Sequence, residues 1–343
     1  MALMPLALMR RIIVVGLGSI GRRHARLLNA RGDLAVELCE PEPSNLELAY
    51  TEVAPSEAGG RLPTYRTYDE ALRTRPDMVV IATPHGLHCE QTVQALEQDI
   101  HVLCEKPMSD RLADARAMLV AGERARQRSG AVLSIGFMLH FHPLLARLKQ
   151  LVEEGALGTI LQVHYSVGSY ITLVNSRSRY QVALEGALLL DYAHQPDFIH
   201  WLLGEKPRGV TMAAVQGGQF EHTSVPNVLA LTCDYEHPLL TTVSLNYAQM
   251  PQRSACEVIG DRGWALAEVE KQTLRIGLRA DSSEREDRIP VERDDLYRTE
   301  HQVFLDAAAG LREPSSPASE AIVSMEITDA ALRSWRERRR IEM

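Results

Sequence analysis

Cysteine is scarce: five residues in 343, at positions 39, 89, 104, 233 and 256, form no CxxC pair and are odd in number. A disulfide framework or a zinc knuckle is therefore not expected, and a reducing, cytoplasmic setting is. Positive charge is short as well, with 37 Lys and Arg against 45 Asp and Glu and a net charge of −8. Nucleic acid and anionic membrane surfaces need clustered positive charge, so neither is an expected partner and a small molecule is. Long apolar runs are also missing. The stretch Met1 to Met9 is too short for the ~30 Å of a bilayer core, and its charges, Arg10 and Arg11, follow the apolar run, the reverse of a signal peptide. It reads as a leader upstream of a start at Met9. Repeats and low-complexity tracts are absent, while 45% hydrophobic and 24% charged residues are ordinary globular proportions. At this length two domains are expected.

What is present is organised around Val102-Leu103-Cys104-Glu105-Lys106-Pro107, an apolar strand that stops in an acid, a base and a proline. Upstream, Ile12 to Val15 is a continuous apolar run of the kind buried on both faces of a parallel sheet. It leads into Gly16-Leu17-Gly18-Ser19-Ile20-Gly21 and a helix-compatible segment from Arg22 to Ala30. GxGxxG alone is a weak signal. Between a strand and a helix it predicts a tight turn that brings a pyrophosphate to the helix N-terminus. A second strand, Ala35 to Cys39, ends at Glu40, nineteen residues past Gly21, where a carboxylate hydrogen-bonds the adenosine ribose and repels a 2′-phosphate. NAD is thus favoured over NADP, with a solvated loop acid as the alternative for Glu40. Helices at Ser44 to Val53, Tyr68 to Arg73, His88 to Gln98 and Leu112 to Arg128 alternate with strands at Met78 to Ala82, Val102 to Pro107 and Val132 to Phe137. That alternation specifies a doubly wound parallel sheet, at whose carboxyl edge Lys106 would lie.

Strands follow one another without helices in the second half, at Gly158 to Val167, Arg208 to Gln216, Val228 to Tyr235, Leu239 to Tyr247, Ala255 to Ile259 and Trp264 to Val269, which predicts antiparallel pairing. Two helices close the chain, at Leu296 to Leu311 and Ser319 to Arg338. Between the halves, Asp191, His194 and Asp197 stand at three-residue intervals and share a face if the segment is helical. Pro196 is best tolerated in a first helical turn, so a helix start near Gln195 or Pro196 is expected, with His194 at the junction. Histidine accepts a hydroxyl proton near neutral pH, and a lysine ammonium stabilises developing alkoxide. A capping acid with a surface histidine is the bland alternative. His140 and His142, two apart with no third ligand nearby, do not make a metal site.

With GxGxxG followed by Arg23-His24, Thr83-Pro84 with His88, and Glu105-Lys106-Pro107, the chain resembles the glucose-fructose oxidoreductase and inositol dehydrogenase family (Gfo/Idh/MocA) from about residue 11 onward. The resemblance implies an α/β protein: an N-terminal Rossmann domain (residues 11–137), then an α/β domain with a large, mostly antiparallel open sheet (138–343), whose closing helices pack back on the first domain or the sheet. It implies NAD(P)-dependent redox chemistry on sugars or cyclitols, a homodimer or homotetramer, and a cis bond at Pro107. Gly16, Gly18, Ser19, Ile20, Gly21, Glu40, Thr83, Pro84, His88, Glu105 and Lys106 would hold the cofactor. Lys106 and His194 match the catalytic lysine and histidine, and Asp191 matches the acid upstream of that histidine at a spacing of three, where many members have four. His140 stands where many relatives have arginine, and His140, Tyr165, Arg177 and Tyr180 are candidates for the substrate side. The reaction expected is interconversion of a secondary hydroxyl and a ketone. Rivals are an NAD-assisted glycosidase and a nucleotide-sensing regulator without turnover.

Overall fold

A computed structural model of the chain describes residues 9–53, 62–175, 185–280 and 282–343. Most of the leader and the substrate-side candidates Arg177 and Tyr180 lie outside the described residues. The chain divides into two compact units: Met1–Met138 with Arg293–Ile322, and Leu139–Glu292 with Val323–Met343.

The first unit is built on six strands, β1 (Arg10–Val15), β2 (Leu34–Cys39), β3 (Thr64–Tyr65), β4 (Met78–Ile81), β5 (His101–Glu105) and β6 (Leu133–Gly136). They lie in the order β3-β2-β1-β4-β5-β6, and every pair is parallel. The expected doubly wound sheet is therefore the observed one. Strand order reverses between β1 and β4, and such sheets bind ligands at the carboxyl ends on that line. Helices α1 (Ser19–Asn29), α2 (Pro43–Val53), α3 (Tyr68–Arg73), α4 (His88–Glu97) and α5 (Leu112–Ser129) connect the strands. Thr67 caps α3 in a reciprocal box with Glu70, which satisfies two N–H groups the helix itself cannot.

The helix Arg293–Ala308 belongs to this unit although some 150 residues of chain separate it from β6. Its Phe304 and Leu305 join the core formed by Ile12, Val14, Leu28 and Val36. Full burial of such side chains contributes roughly 1.5–3 kcal/mol each, enough to hold a distant segment in place.

Among its described residues the second unit has nine strands: β7 (Ile160–Gly168), β8 (Gly209–Val215), β9 (Val228–Asp234), β10 (Leu240–Asn246), β11 (Arg253–Gly260), β12 (Gly263–Glu268), β13 (Thr273–Leu278), β14 (Ser283–Arg288) and β15 (Ile341–Glu342). Their order is β14-β13-β12-β11-β7-β10-β9-β8-β15. All neighbours are antiparallel except β7 and β10, which run parallel with Leu240 opposite Gln162. Three strands escape the sequence pattern. β14, Ser-Glu-Arg-Glu-Asp-Arg, has no apolar residue to alternate, and as an edge strand its charges oppose pairing with another chain. β13 alternates over only three apolar residues, Leu274, Ile276 and Leu278, with Gly277 between the last two, and β15 has only two residues. One face of the sheet, including Val163, Tyr165, Val243, Leu245 and Leu231, is buried. Against it pack Pro143–Glu153, Ala187–Asp191 and His194–Leu203, helices of this same unit.

Candidate active site

In the first unit the glycine-rich turn is shaped by contact with β4. Gly16 has φ +85°, and a Cβ there would stand 2.8 Å from the Ala82 carbonyl oxygen, while a Cβ on Gly21 would lie 1.7 Å from the Gly16 oxygen. Neither position accepts a side chain. Gly18 differs, because a Cβ there meets nothing within 4 Å. Gly18 and Ser19 are exposed, Ile20 is half-buried, and α1 starts at Ser19 without a side-chain cap. Its first N–H groups are thus available to an anion. Arg22, buried, donates to the Leu17 carbonyl at 2.9 Å and so ties the turn to the helix.

Glu40, 5% exposed, accepts from the Leu17 N–H at 2.6 Å through one oxygen and from the Glu42 N–H at 2.9 Å through the other. Each carboxylate oxygen keeps a second lone pair, so the group can also accept from a ribose hydroxyl. The uncapped helix start, the Cβ-free turn and this fixed carboxylate fit NAD. When bound, NAD supplies the hydride acceptor or donor, and the protein supplies position.

At the neighbouring strand ends, buried His88 stands 2.9 Å from both the Thr83 and the Pro107 carbonyl oxygens and links β4 to β5. Burial lowers its pKa, outweighing those carbonyls. The Thr83 hydroxyl donates to Gln91 at 2.6 Å, and Pro84 is exposed. Lys106 is half-buried at the end of β5, and the Lys106–Pro107 bond is cis. Cys104 is fully buried, and burial pushes its thiol pKa up.

Glu105 sits in a cluster that sequence spacing does not reveal. Its Oε1 lies 2.8 Å from His24 Nε2 and its Oε2 accepts from the Lys106 N–H at 3.1 Å. His24 Nδ1 is in turn 2.6 Å from His301 Nε2. Glu300 adds a second carboxyl, and ligand atoms of His24, Glu105 and Glu300 lie within 4.8 Å of one another. Burial raises the Glu105 pKa, but the His24 hydrogen bond and the charge of Lys106 outweigh it, and the net shift is down. Glu300 moves the other way: burial, then the charge of Glu105, holds its carboxyl well above the ordinary value. A signal for Glu300 does exist in the sequence. It stands four residues after Leu296 and four before Phe304, an acid on the apolar face of its helix.

That cluster yields a pH prediction. Because the folded protein binds the Glu300 proton more tightly than the unfolded chain, the resulting stability is fully present below the ordinary value of 4.5 and is lost as pH rises toward the folded pKa. Glu300→Gln cannot lose such a proton. Its melting temperature relative to wild type should therefore climb between pH 5 and pH 8, by at most ~1.4 kcal/mol of stability per pH unit. An equal difference at both pH values would show that Glu300 titrates normally.

In the second unit, the segment carrying Asp191 and His194 is two helices rather than one. Ala187–Asp191 ends in a turn at Tyr192, and His194–Leu203 then begins with Ala193 as its N-cap, one or two residues earlier than expected. Pro196 falls in the first turn, where its missing N–H has no partner to lose. The break separates the acids' partners. Asp191 accepts from the Tyr247 hydroxyl, whereas Asp197 meets His140 Nε2 at 2.8 Å. His140 is buried and stacked on Trp201, with ring centroids 4.6 Å apart and planes 12° from parallel. Tyr165 is fully buried, its ring edge-on to Phe198 at 5.5 Å, and burial raises its pKa. His142 precedes the helix Pro143–Glu153 at its N-cap position without a side-chain capping bond, and burial pushes its pKa down to about 4. Arg177 and Tyr180 lie outside the described residues.

Comparison with known proteins bears on both units. The family profile described as "Oxidoreductase family, NAD-binding Rossmann fold" matches residues 10–136, and that of the GFO/IDH/MocA C-terminal domain matches residues 145–266. The chain belongs to the Gfo/Idh/MocA oxidoreductase family. It is an NAD-binding oxidoreductase. The inositol 2-dehydrogenase 2 of Paenarthrobacter aurescens is 28% identical over 316 residues, 89% of each chain. The 2,7-anhydro-N-acetylneuraminate hydratase of Escherichia coli is 26% identical over 273 residues, 77% of this chain and 69% of that protein. A levoglucosan dehydrogenase solved with NADH and levoglucosan shares the fold with a TM-score of 0.84, at 18% identity and over 97% of this chain and 99% of that one. Among the described residues, no helix is long and apolar enough to cross a membrane.

Proposed function

We propose that this family member interconverts a secondary hydroxyl and a ketone on a sugar, cyclitol or related polyol. Lys106 and His194 act on the hydroxyl, Asp191 orients or supplements them, and Gly16, Gly18, Ser19, Ile20, Gly21 and Glu40 hold NAD. Thr83, Pro84, His88 and Glu105 complete the cofactor side; His140, Tyr165, Arg177 and Tyr180 are the candidates for the substrate side. The observation that carries this reading is Lys106 at the carboxyl end of β5, in the same parallel sheet whose β1 feeds the NAD turn. Removing hydride from a carbinol carbon requires the hydroxyl proton to leave. His194 takes that proton and the Lys106 ammonium stabilises the oxygen as it becomes anionic. Polyols are the substrate class because relatives are named for inositol and levoglucosan.

A screen of sugars and cyclitols by thermal shift with NAD present should single out one substrate class, since a ligand at 100 times its Kd adds ~2.7 kcal/mol of stability. The same compounds should then produce NADH. Shift without NADH would turn the reading toward a non-catalytic sensor.

A relative named as a hydratase favours one second reading, transient oxidation and re-reduction within a cycle without net redox, as in an NAD-assisted glycosidase. Product formation with no net NADH would select it. We also infer a homodimer or homotetramer, supported by the exposed Val215, Val228 and Leu240 on one face of the second unit's sheet. Light scattering at micromolar concentration tests it, and a monomeric mass would reject it.

A further inference from the structure

We propose that His24 and His301 are positioning residues for Lys106: through three successive hydrogen bonds they fix the Glu105 carboxylate, and with it the backbone from which the lysine side chain departs. The chain of contacts is His301 Nε2 to His24 Nδ1 at 2.6 Å, His24 Nε2 to Glu105 Oε1 at 2.8 Å, and the Lys106 N–H to Glu105 Oε2 at 3.1 Å. The proposal rests on the reading of Lys106 as the cation that faces the reacting hydroxyl.

Donor accounting orients the chain. His301 Nδ1 is buried with no hydrogen-bond partner among the described residues. An N–H left there unsatisfied costs about 1–3 kcal/mol, so the proton belongs on Nε2, which donates to His24 Nδ1. His24 then carries its proton on Nε2 and donates to Glu105. Burial lowers the His301 pKa and keeps that ring neutral. The groups that surround the chain agree with this order. From the helix Arg293–Ala308, Tyr297 meets the His24 ring edge-on at 5.2 Å and 84°, and from α1 the Arg23 guanidinium lies 5.4 Å from the Tyr297 centroid. Glu300 is 3% exposed, and neither of its carboxylate oxygens has a hydrogen-bond partner among the described residues. Held neutral, it leaves the Glu105 charge to His24 and the Lys106 amide; ionised, it would repel Glu105 from both.

The lysine content makes the consequence measurable. The chain has four lysines, at 106, 149, 206 and 271, so reductive ¹³C-methylation should give four sets of lysine methyl signals beside that of the α-amino group, with Lys106 assigned by its absence in Lys106→Ala. In His24→Phe the Lys106 signal should move or titrate differently while the other three stay in place. In His24→Gln, whose amide can still donate to Glu105, it should return to the wild-type position. His301→Leu should produce the same displacement at smaller amplitude and serves if the phenylalanine variant does not fold. A Lys106 signal unchanged in both His24→Phe and His301→Leu, with only the melting temperature lowered, would overturn the proposal and leave the cluster as packing. So would a stoichiometric zinc ion bound by wild type and lost in Glu300→Gln, because His24 Nε2 would then face a metal instead of donating to Glu105. Full turnover in Lys106→Ala, with the His24 effect on the signal intact, would remove the functional reading and leave the positioning chain standing.

Discussion

Turnover by Lys106→Ala should fall roughly 10²–10⁴-fold, the range spanned by losses of an acid–base group or an oxyanion donor, while NAD affinity changes little. The reasoning is local. Lys106 follows the last residue of β5, and the close backbone contacts that shape the turn at Gly16 to Gly21 are made with Ala82 and Thr83 and within the turn itself. Truncation removes the ammonium but leaves the backbone amide that Glu105 accepts from, so the strand end stays tied. Steady-state rates with NAD binding followed separately by fluorescence decide the matter. Unchanged turnover would eliminate Lys106 from the chemistry, and a parallel loss of NAD binding would assign it to the cofactor instead. A residue in the cofactor's grip lowers affinity; one that works only on the developing alkoxide lowers kcat.

The second large effect is expected at Gly21. A methyl there would stand 1.7 Å from the Gly16 carbonyl oxygen, and that contact is backbone, which cannot swing aside as a flexible side chain could. The turn or α1 must move. Gly21→Ala should weaken NAD by about 100-fold or more, equivalent to ~2.7 kcal/mol or more, and also lower the melting temperature, since overpacking of this kind costs typically 1–3 kcal/mol. Gly18→Ala provides the contrast. Its Cβ meets no protein atom within 4 Å, so the melting temperature of the NAD-free protein should hold, while NAD weakens if the pyrophosphate passes over that glycine. Calorimetric titration with NAD and thermal denaturation of both variants separate the two effects. Equal NAD affinity in Gly21→Ala and wild type would show that this turn does not hold the cofactor.

Much of the first unit was legible because its signals are local. An apolar run of the length of β1 or β4, buried on both faces, looks the same whatever surrounds it. The contacts that cap α3 likewise lie within four residues, Thr67 to Glu70. The second unit was legible in outline only. The parallel pairing of β7 with β10 is made across some seventy residues of intervening chain, and antiparallel spacing alone does not anticipate it. The charged edge strand β14 was invisible because an edge needs no apolar alternation.

The contrast is sharpest around the residues assigned to chemistry. Sequence by itself determined the family motifs, the order of strand, turn and helix that makes the NAD site, and the place of Lys106 at a strand's end, since each depends on neighbours a few residues away. Only the tertiary structure decided that Asp197 holds His140 while Asp191 accepts from Tyr247, and that His24 meets His301 across 277 residues of chain. Three-residue spacing could be continued through Asp191, His194 and Asp197, but a turn at Tyr192 interrupts it. A buried hydrogen bond forms wherever packing brings a donor and an acceptor together, and in a folded chain that is set by how helices lie on a sheet, not by how far apart two letters stand.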